Sequence, residues 1–273
     1  MAQALADAED AFGHLLLDFL DGRRGQPLLE RDDGHVGSAL GPEVFFSERG
    51  TWPAEEQDVF EAVSGRVLDV DAGAGRHALE AERHGFEVLA IDISPGALEV
   101  CNRRGVRDAR LLALEDVGPE LGEFDTVLMM CGNFGLVGDR ERALDTLRRL
   151  AGLTSSKARI VLDTVDPYVD ADGSDAAYAV RNRERGRMPG QVTIRIRYGE
   201  RVTPWYDLLN VSAQELAELA KETRWHVELV REDPPDIYAV LAKSARTACG
   251  RGRALPRRAR RPRARSTGSP RTR

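Results

Sequence analysis

The sequence predicts an α/β chain: a doubly wound, mostly parallel sheet that closes on an antiparallel hairpin. Three observations carry this. Short apolar runs at residues 67–70, 86–91, 124–130 and 159–164 alternate with amphipathic, capped stretches of helical period, the pattern of strand-helix crossovers. A glycine turn containing Gly73 and Gly75 joins the first of these strands to its helix. The last strand signals, 227–230 and 237–241, flank only Asp233-Pro234-Pro235 and a few neighbours, too short a gap for a helix, so they pair as a hairpin.

Composition bounds the possibilities. A chain of 273 residues has room for a sizeable core. Its net charge of −6 hides an uneven distribution: from Ser244 onward there are 11 arginines and no acid, leaving 28 basic residues against all 45 acids in the body. An acidic body argues against gripping a nucleic-acid duplex, which needs clustered Lys and Arg. Residues 244–273, rich in Arg, Pro, Ala, Ser and Gly, lack the apolar content to offset ordering entropy and are expected to be a disordered basic tail, the one segment suited to nucleic acid or an anionic surface. No basic segment leads into an apolar run, and no run approaches the about 18 apolar residues of a membrane span, so a soluble, cytoplasmic protein is expected. Cys101, Cys131 and Cys249 show no metal-ligand spacing; no metal is expected.

Residues 1–65 read as an amino-terminal helical cap segment. Leu5, Phe12, Leu15, Leu16, Phe19 and Leu20 lie at helical spacing over 4–20, Gly22, Gly25 and Pro27 end that helix, 32–42 is loop-like, and Phe45, Phe46 and Trp52 supply aromatics ahead of a helix over 53–63.

The centre of the chain is 66–92. Val67, Leu68 and Val70 make a buried strand; Gly73 and Gly75 let the backbone turn sharply where a Cβ would obstruct a ligand; a helix follows and closes at Gly85; a second apolar strand ends at Asp92. A right-handed crossover brings both strand ends to one edge of a parallel sheet, where open α/β sheets bind ligands, so Asp92 faces the space above the glycine turn. A carboxylate there can accept hydrogen bonds from both hydroxyls of a ribose. A dinucleotide would lay its pyrophosphate on the turn, beside Asp69 and Asp71. At an effective dielectric of about 20, like charges about 4 Å apart cost roughly 4 kcal/mol, so the signs favour a cationic ligand.

Residues 67–75 and Ala90-Ile91-Asp92-Ile93-Ser94-Pro95 resemble the first two motifs of class I S-adenosylmethionine-dependent methyltransferases. Asp69, Gly73 and Gly75 match the pattern acid-x-Gly-x-Gly-x-Gly; Asp71 departs from it, standing where glycine is usual. The resemblance implies S-adenosylmethionine as cofactor and a Rossmann-like sheet of seven strands within residues 66–243. It places Asp69, Asp71, Gly73, Gly75, Asp92 and Ile93 at the cofactor, with Asp71 beside its methionine moiety.

After Asp92 the alternation continues. Ser94 caps a helix with Pro95 at its first position and Gly105 past its end. The third strand, 109–114, leads to Glu115 and Asp116, and the resemblance assigns Asp116 to the adenine amine. The fourth strand runs into Cys131-Gly132-Asn133-Phe134-Gly135-Leu136, a pattern similar to that of glycine N-methyltransferases and related small-molecule enzymes. That likeness puts Cys131 and Asn133 at the cofactor, Asn133 either bonding it or an acceptor, or only capping the turn. Asp139 caps the next helix.

Between 166 and 210 the alternation fails. Residues 192–198 and 204–209 read as a hairpin turning at Gly199-Glu200, and in related enzymes an insertion here forms a lid over the acceptor. Arg195 and Arg197 are candidates to bind a substrate; Tyr206, Asp207 and His77 are candidate catalytic groups. Ser212 and Glu215 form a capping box ahead of the last helix. These features point to a methyltransferase acting on a nitrogen or oxygen of a small-molecule acceptor. The alternatives are an NAD-dependent oxidoreductase, which Asp69, Asp71 and the terminal hairpin oppose, and a non-catalytic binding protein of the same fold.

Overall fold

The computed structural model describes residues 4–169 and 173–244. Before Arg66 the chain forms α1 (Ala11–Leu20), β1 (Leu28–Arg31), β2 (Val36–Ser38), α2 (Pro42–Phe46) and α3 (Ala54–Phe60). The alternation then runs β3 (Arg66–Val70), α4 (Arg76–Arg83), β4 (Glu87–Asp92), α5 (Pro95–Arg104), β5 (Ala109–Leu111), β6 (Phe124–Met129), α6 (Arg140–Leu153) and β7 (Thr154–Val165). Next come α7 (Ser174–Glu184), β8 (Gln191–Tyr198), β9 (Arg201–Val202) and β10 (Tyr206–Leu209), and α8 (Ala213–Lys221), β11 (Trp225–Asp233) and β12 (Asp236–Lys243) finish the described chain.

The main sheet has seven strands in the order β11-β12-β7-β6-β3-β4-β5. Strands β3 to β7 are parallel to one another, and β12 runs antiparallel between β7 and β11, as the closing hairpin predicts. Strand order reverses between β3 and β6, so the crevice at their carboxyl ends is the switch point where such sheets bind ligands. Both faces are covered. Leu68, Val127 and Ile160 pack on one side with Leu144, Leu147 and Leu216 of α6 and α8, and Val67, Leu128 and Val161 on the other with Val59, Ala78 and Ala81 of α3 and α4. The alternate facing of consecutive strand residues follows from the pleat.

Helix boundaries follow their caps. Asp10 accepts from the Gly13 amide at 3.0 Å and opens α1 there, later than the apolar periodicity suggests. Ser94 caps α5, Asp139 caps α6, and Ser212 with Glu215 completes the capping box of α8.

The reading of residues 1–65 as helical needs correcting: β1 and β2 lie within that segment, β2 as a three-residue strand inside the otherwise loop-like 32–42. They join β8, β9 and β10 in a second, antiparallel sheet of order β10-β8-β1-β2 with β9 beside β8. Glu30 pairs with Arg195, a partner 165 residues away, which no local pattern reveals. The turn at Gly199-Glu200 does join two strands, and β10 returns along β8 with Tyr206 opposite Ile194. Helix α7 was not expected; of its described side chains only Tyr178, Ala179 and Asn182 are buried, too few to mark a periodic face. It docks on β1, where the Arg31 guanidinium lies 4.6 Å from the Tyr178 ring centroid.

No helix among the described residues is long and apolar enough to cross a membrane. The expected basic tail lies outside the described residues, apart from Ser244.

Candidate active site

The glycine turn leaves β3 with Asp71, Gly73 and Gly75 all in the left-handed region, at φ +52°, +57° and +74°. At Gly75 a Cβ would stand 2.7 Å from the Val106 side chain, so packing as well as backbone requires glycine. At Asp71 the same backbone is tolerated, because Asp is one of the side chains that enter this region most readily. Among the described residues, Asp71 and Cys131 (φ +63°) are the non-glycine residues with positive φ, and both line one cavity.

That cavity is a small one at the carboxyl ends of β3 and β6, bordered by Phe45, Asp69, Asp71, Arg76, His77 and Cys131 among others. Asp92 stands beside it. Its Oδ2 accepts from the Gly73 amide at 3.0 Å and its Oδ1 from the Ser94 amide at 2.8 Å, which fixes the turn against the end of β4. A carboxylate has about four lone-pair sites, so each oxygen retains capacity for a ribose hydroxyl. Asp92 also faces Asp10, whose carboxylate accepts from the Ser94 hydroxyl at 2.7 Å and the Gly96 amide at 2.9 Å. Asp10 therefore caps α1 and ties it to the start of α5. Above the turn, Phe12 and Phe45 meet edge to face, centroids 4.8 Å apart, and close the amino-terminal segment over Gly73.

Asp69 is only 3% exposed, and its Oδ2 has no hydrogen-bond partner. Burial pushes its carboxyl up to about 7, against the pull of the Ala78 amide. Burial likewise raises Asp92 to about 6. Asp71 is held well above the usual carboxylate range, first by burial and then by the charges of Asp92, Glu115 and Asp69. A buried carboxylate oxygen without a donor is costly, and a ligand cation resolves it.

Asn133 donates both amide protons to main chain, to the Val70 carbonyl at 2.9 Å and the Asp71 carbonyl at 2.8 Å. It braces the glycine turn from the β6 loop. The neighbouring Gly132 amide donates to Asp163 at 2.7 Å, and burial pushes Asp163 to about 7. The Cys131 thiol, pushed by burial to about 12, accepts from Arg76 Nη2 at 3.1 Å.

Of the proposed catalytic groups, Tyr206 opens β10, near enough to the turn for the Asp71 charge to act on it. Burial and the Asp71 charge push its phenol up to about 12. Asp207 follows it on β10 and so faces the other way, accepting from the Thr193 hydroxyl of β8 at 2.5 Å and from Arg187, ahead of β8, at 3.5 Å. His77 borders the cavity, but its Nε2 is 2.7 Å from Glu56 Oε1, its ring lies 4.9 Å from that of Trp52, and burial lowers its pKa. Arg195 and Arg197 both pair with Glu30 across the β1–β8 ladder. Asp116 closes the 3-10 turn Leu114–Asp116, while its neighbour Glu115 is the acid whose charge reaches Asp71. The Ile93 carbonyl accepts from the Leu5 amide at 3.1 Å.

Sequence reasoning missed three contributors. Arg76 follows the turn directly and is buried among Glu56 (2.7 Å), Ser47 (2.9 Å) and Cys131; Glu56 lies on α3 with no local signal; and Asp10 marked a helix start only through its position three residues before Gly13. No group of three or more His, Cys, Asp or Glu among the described residues is arranged to hold a metal ion.

Comparison with known proteins agrees with this geometry. The family model described as "Methyltransferase domain" matches residues 67–152. The structure of a SAM-dependent methyltransferase from Bacteroides fragilis, solved with S-adenosyl-L-homocysteine, superposes with a TM-score of 0.74 at 27% identity, covering 89% of this chain and 98% of that one. Two curated relatives match in part. A magnesium-protoporphyrin O-methyltransferase of Rhodobacter capsulatus is 36% identical over 69 residues, 24% of this chain and 31% of that protein. The Bacillus subtilis protein YqeM, named as a methyltransferase, is 22% identical over 112 residues, 40% of this chain and 45% of that protein. The chain thus spans less than half the length of either curated relative. Residues 67–152 thus carry a methyltransferase domain, and the strand order, glycine turn and Asp92 around them have the arrangement of class I S-adenosylmethionine-dependent methyltransferases.

Proposed function

We propose that the protein moves a methyl group to a nitrogen or oxygen of a small-molecule acceptor. The observation that carries this reading is the unpartnered, buried Oδ2 of Asp69 at the carboxyl end of β3, in one cavity with Asp71 and beside Asp92. These residues fit S-adenosylmethionine, which presents a ribose, an ammonium and a sulfonium and no phosphate. Asp92 would take the ribose hydroxyls, and Asp69 with Asp71 would face the cationic end. The same acids disfavour a dinucleotide, whose pyrophosphate would lie against them.

The cofactor supplies an activated methyl group; the chain supplies position and dryness. Asn133 and Asp92 fix the turn from two sides, and holding donor and acceptor in line is worth about 7 to 11 kcal/mol at its upper range. Phe12 and Phe45 above the turn and β10 beside the turn Asn133–Val137 enclose the site. Tyr206, on that strand and within reach of the Asp71 charge, is the proposed contact to an acceptor; Asp207 is proposed to hold β10 rather than react. The enclosure, with the acidic body, supports a small acceptor over a nucleic acid. We place the work of residues 166–210 as a cover over the acceptor, built jointly with β1 and β2.

Methyl-labelled S-adenosylmethionine, incubated with the protein and a panel of amines and phenols, tests the reading. Acceptor-dependent formation of S-adenosylhomocysteine supports it; no product with any acceptor, from protein that binds the cofactor, favours the non-catalytic alternative.

A further inference from the structure

Asp71 is the residue that sets this turn apart from the usual motif, and its side chain has a specific opportunity. We propose that Asp71 reads the charge on the cofactor sulfur, so that the site holds S-adenosylmethionine in preference to S-adenosylhomocysteine. The inference rests on the cofactor reading above and adds a role for a position that is ordinarily glycine.

Three observations support it. Among the described residues, none donates a hydrogen bond to the Asp71 carboxylate; its main-chain carbonyl, by contrast, is taken by Asn133. The charges that act on it are all acidic, from Asp92, Glu115 and Asp69. Arg76, the cation bordering the same cavity, directs its Nη atoms to Glu56, Ser47 and Cys131 and keeps a buried Nε without a partner. Independently, Asp69 lines this cavity with a buried oxygen that has no partner, and with Asp71 it sets two carboxyls against the Arg76 cation in the lining. Such a wall favours positive charge and gives nothing to a neutral thioether.

The two ligands separate the possible partners of Asp71. Both carry the same ammonium, carboxylate, ribose and adenine, and they differ at sulfur. In methyl transfer the acceptor lone pair forms the new bond to carbon, the carbon–sulfur pair stays on sulfur, and the sulfonium becomes a neutral thioether. A carboxylate facing the sulfur then loses its counter-charge, which weakens retention of the product.

Calorimetric titration of the full chain with each ligand tests this, comparing wild type with Asp71→Asn and Asp71→Gly. Both variants suit a backbone at φ +52°, Asn keeping the shape and Gly restoring the usual residue. The expected result is a wild-type preference for S-adenosylmethionine that shrinks by about tenfold in both variants, with affinity for S-adenosylhomocysteine little changed. Equal weakening of both ligands overturns the proposal, because it places Asp71 on the shared ammonium, and so does an unchanged ratio. If wild type binds neither ligand, the cofactor reading fails together with this inference.

Discussion

The Ser94 hydroxyl donates to Asp10 at 2.7 Å across 84 residues of sequence, and this contact fastens the amino-terminal helix to the helix that follows Asp92. The same carboxylate accepts from the Gly13 and Gly96 amides, so one buried side chain serves two helix starts. Asp10→Ala should lower stability by about 2 to 4 kcal/mol in urea unfolding, two caps at about 1 kcal/mol each plus orphaned donors. Asp10→Asn, which retains one acceptor oxygen, should lose less.

Backbone meets backbone at the same place. A Cβ on Gly96 would lie 2.7 Å from the Gly13 carbonyl carbon, which has no rotamer with which to move aside. Gly96→Ala should therefore cost about 1 to 3 kcal/mol by pushing α1 off α5. The melting temperature should fall, and amide exchange in α1 should rise more than in β3.

Asn133 holds the glycine turn through two donors and no charge. Asn133→Asp replaces both donors with acceptors facing the Val70 and Asp71 carbonyls and adds a charge near Asp69 and Asp71. It should weaken cofactor binding more than Asn133→Ala, which only removes the brace. Titration calorimetry of the two variants gives the order directly.

Asp69, Asp92 and Asp163 all have carboxyls raised by burial from 3.8, to about 7, 6 and 7. The native state therefore binds more protons than the unfolded chain between pH 4 and 7, and the stability these groups contribute is complete below 3.8 and lost as pH rises through the folded values. Asp69→Asn should flatten that decline in urea unfolding of the ligand-free protein. A bound cation favours the ionised carboxylates, so binding of S-adenosylmethionine should release protons and tighten from pH 6 to 8. Calorimetry in buffers of different ionisation enthalpy counts those protons.

The sheet and its turn were legible because their signals are local: Gly73 and Gly75 after an apolar strand, Asp92 ending the next, Ser94 and Ser212 at helix starts, a terminal hairpin. The second sheet was not, since β1 meets β8 far along the chain and short strands carry little periodicity of their own. Arg195 and Arg197 looked free for a substrate only because Glu30 lies beyond any local window. Asp207, read beside Tyr206 as a second candidate, turns instead to Thr193, since neighbours on a strand face opposite ways. At Asn133 the sequence left binding and bracing open, and the fold spends both donors on main chain.

The most direct measurement is calorimetric titration of the protein with S-adenosylmethionine, S-adenosylhomocysteine and NAD, beside Asp92→Ala. The proposed site predicts saturable binding of both adenosyl ligands, none of NAD, and loss of both in the variant, because Asp92 holds the Gly73 amide and is the proposed acceptor for the ribose hydroxyls. Binding of NAD, or adenosyl-ligand binding that survives Asp92→Ala unchanged, would contradict it.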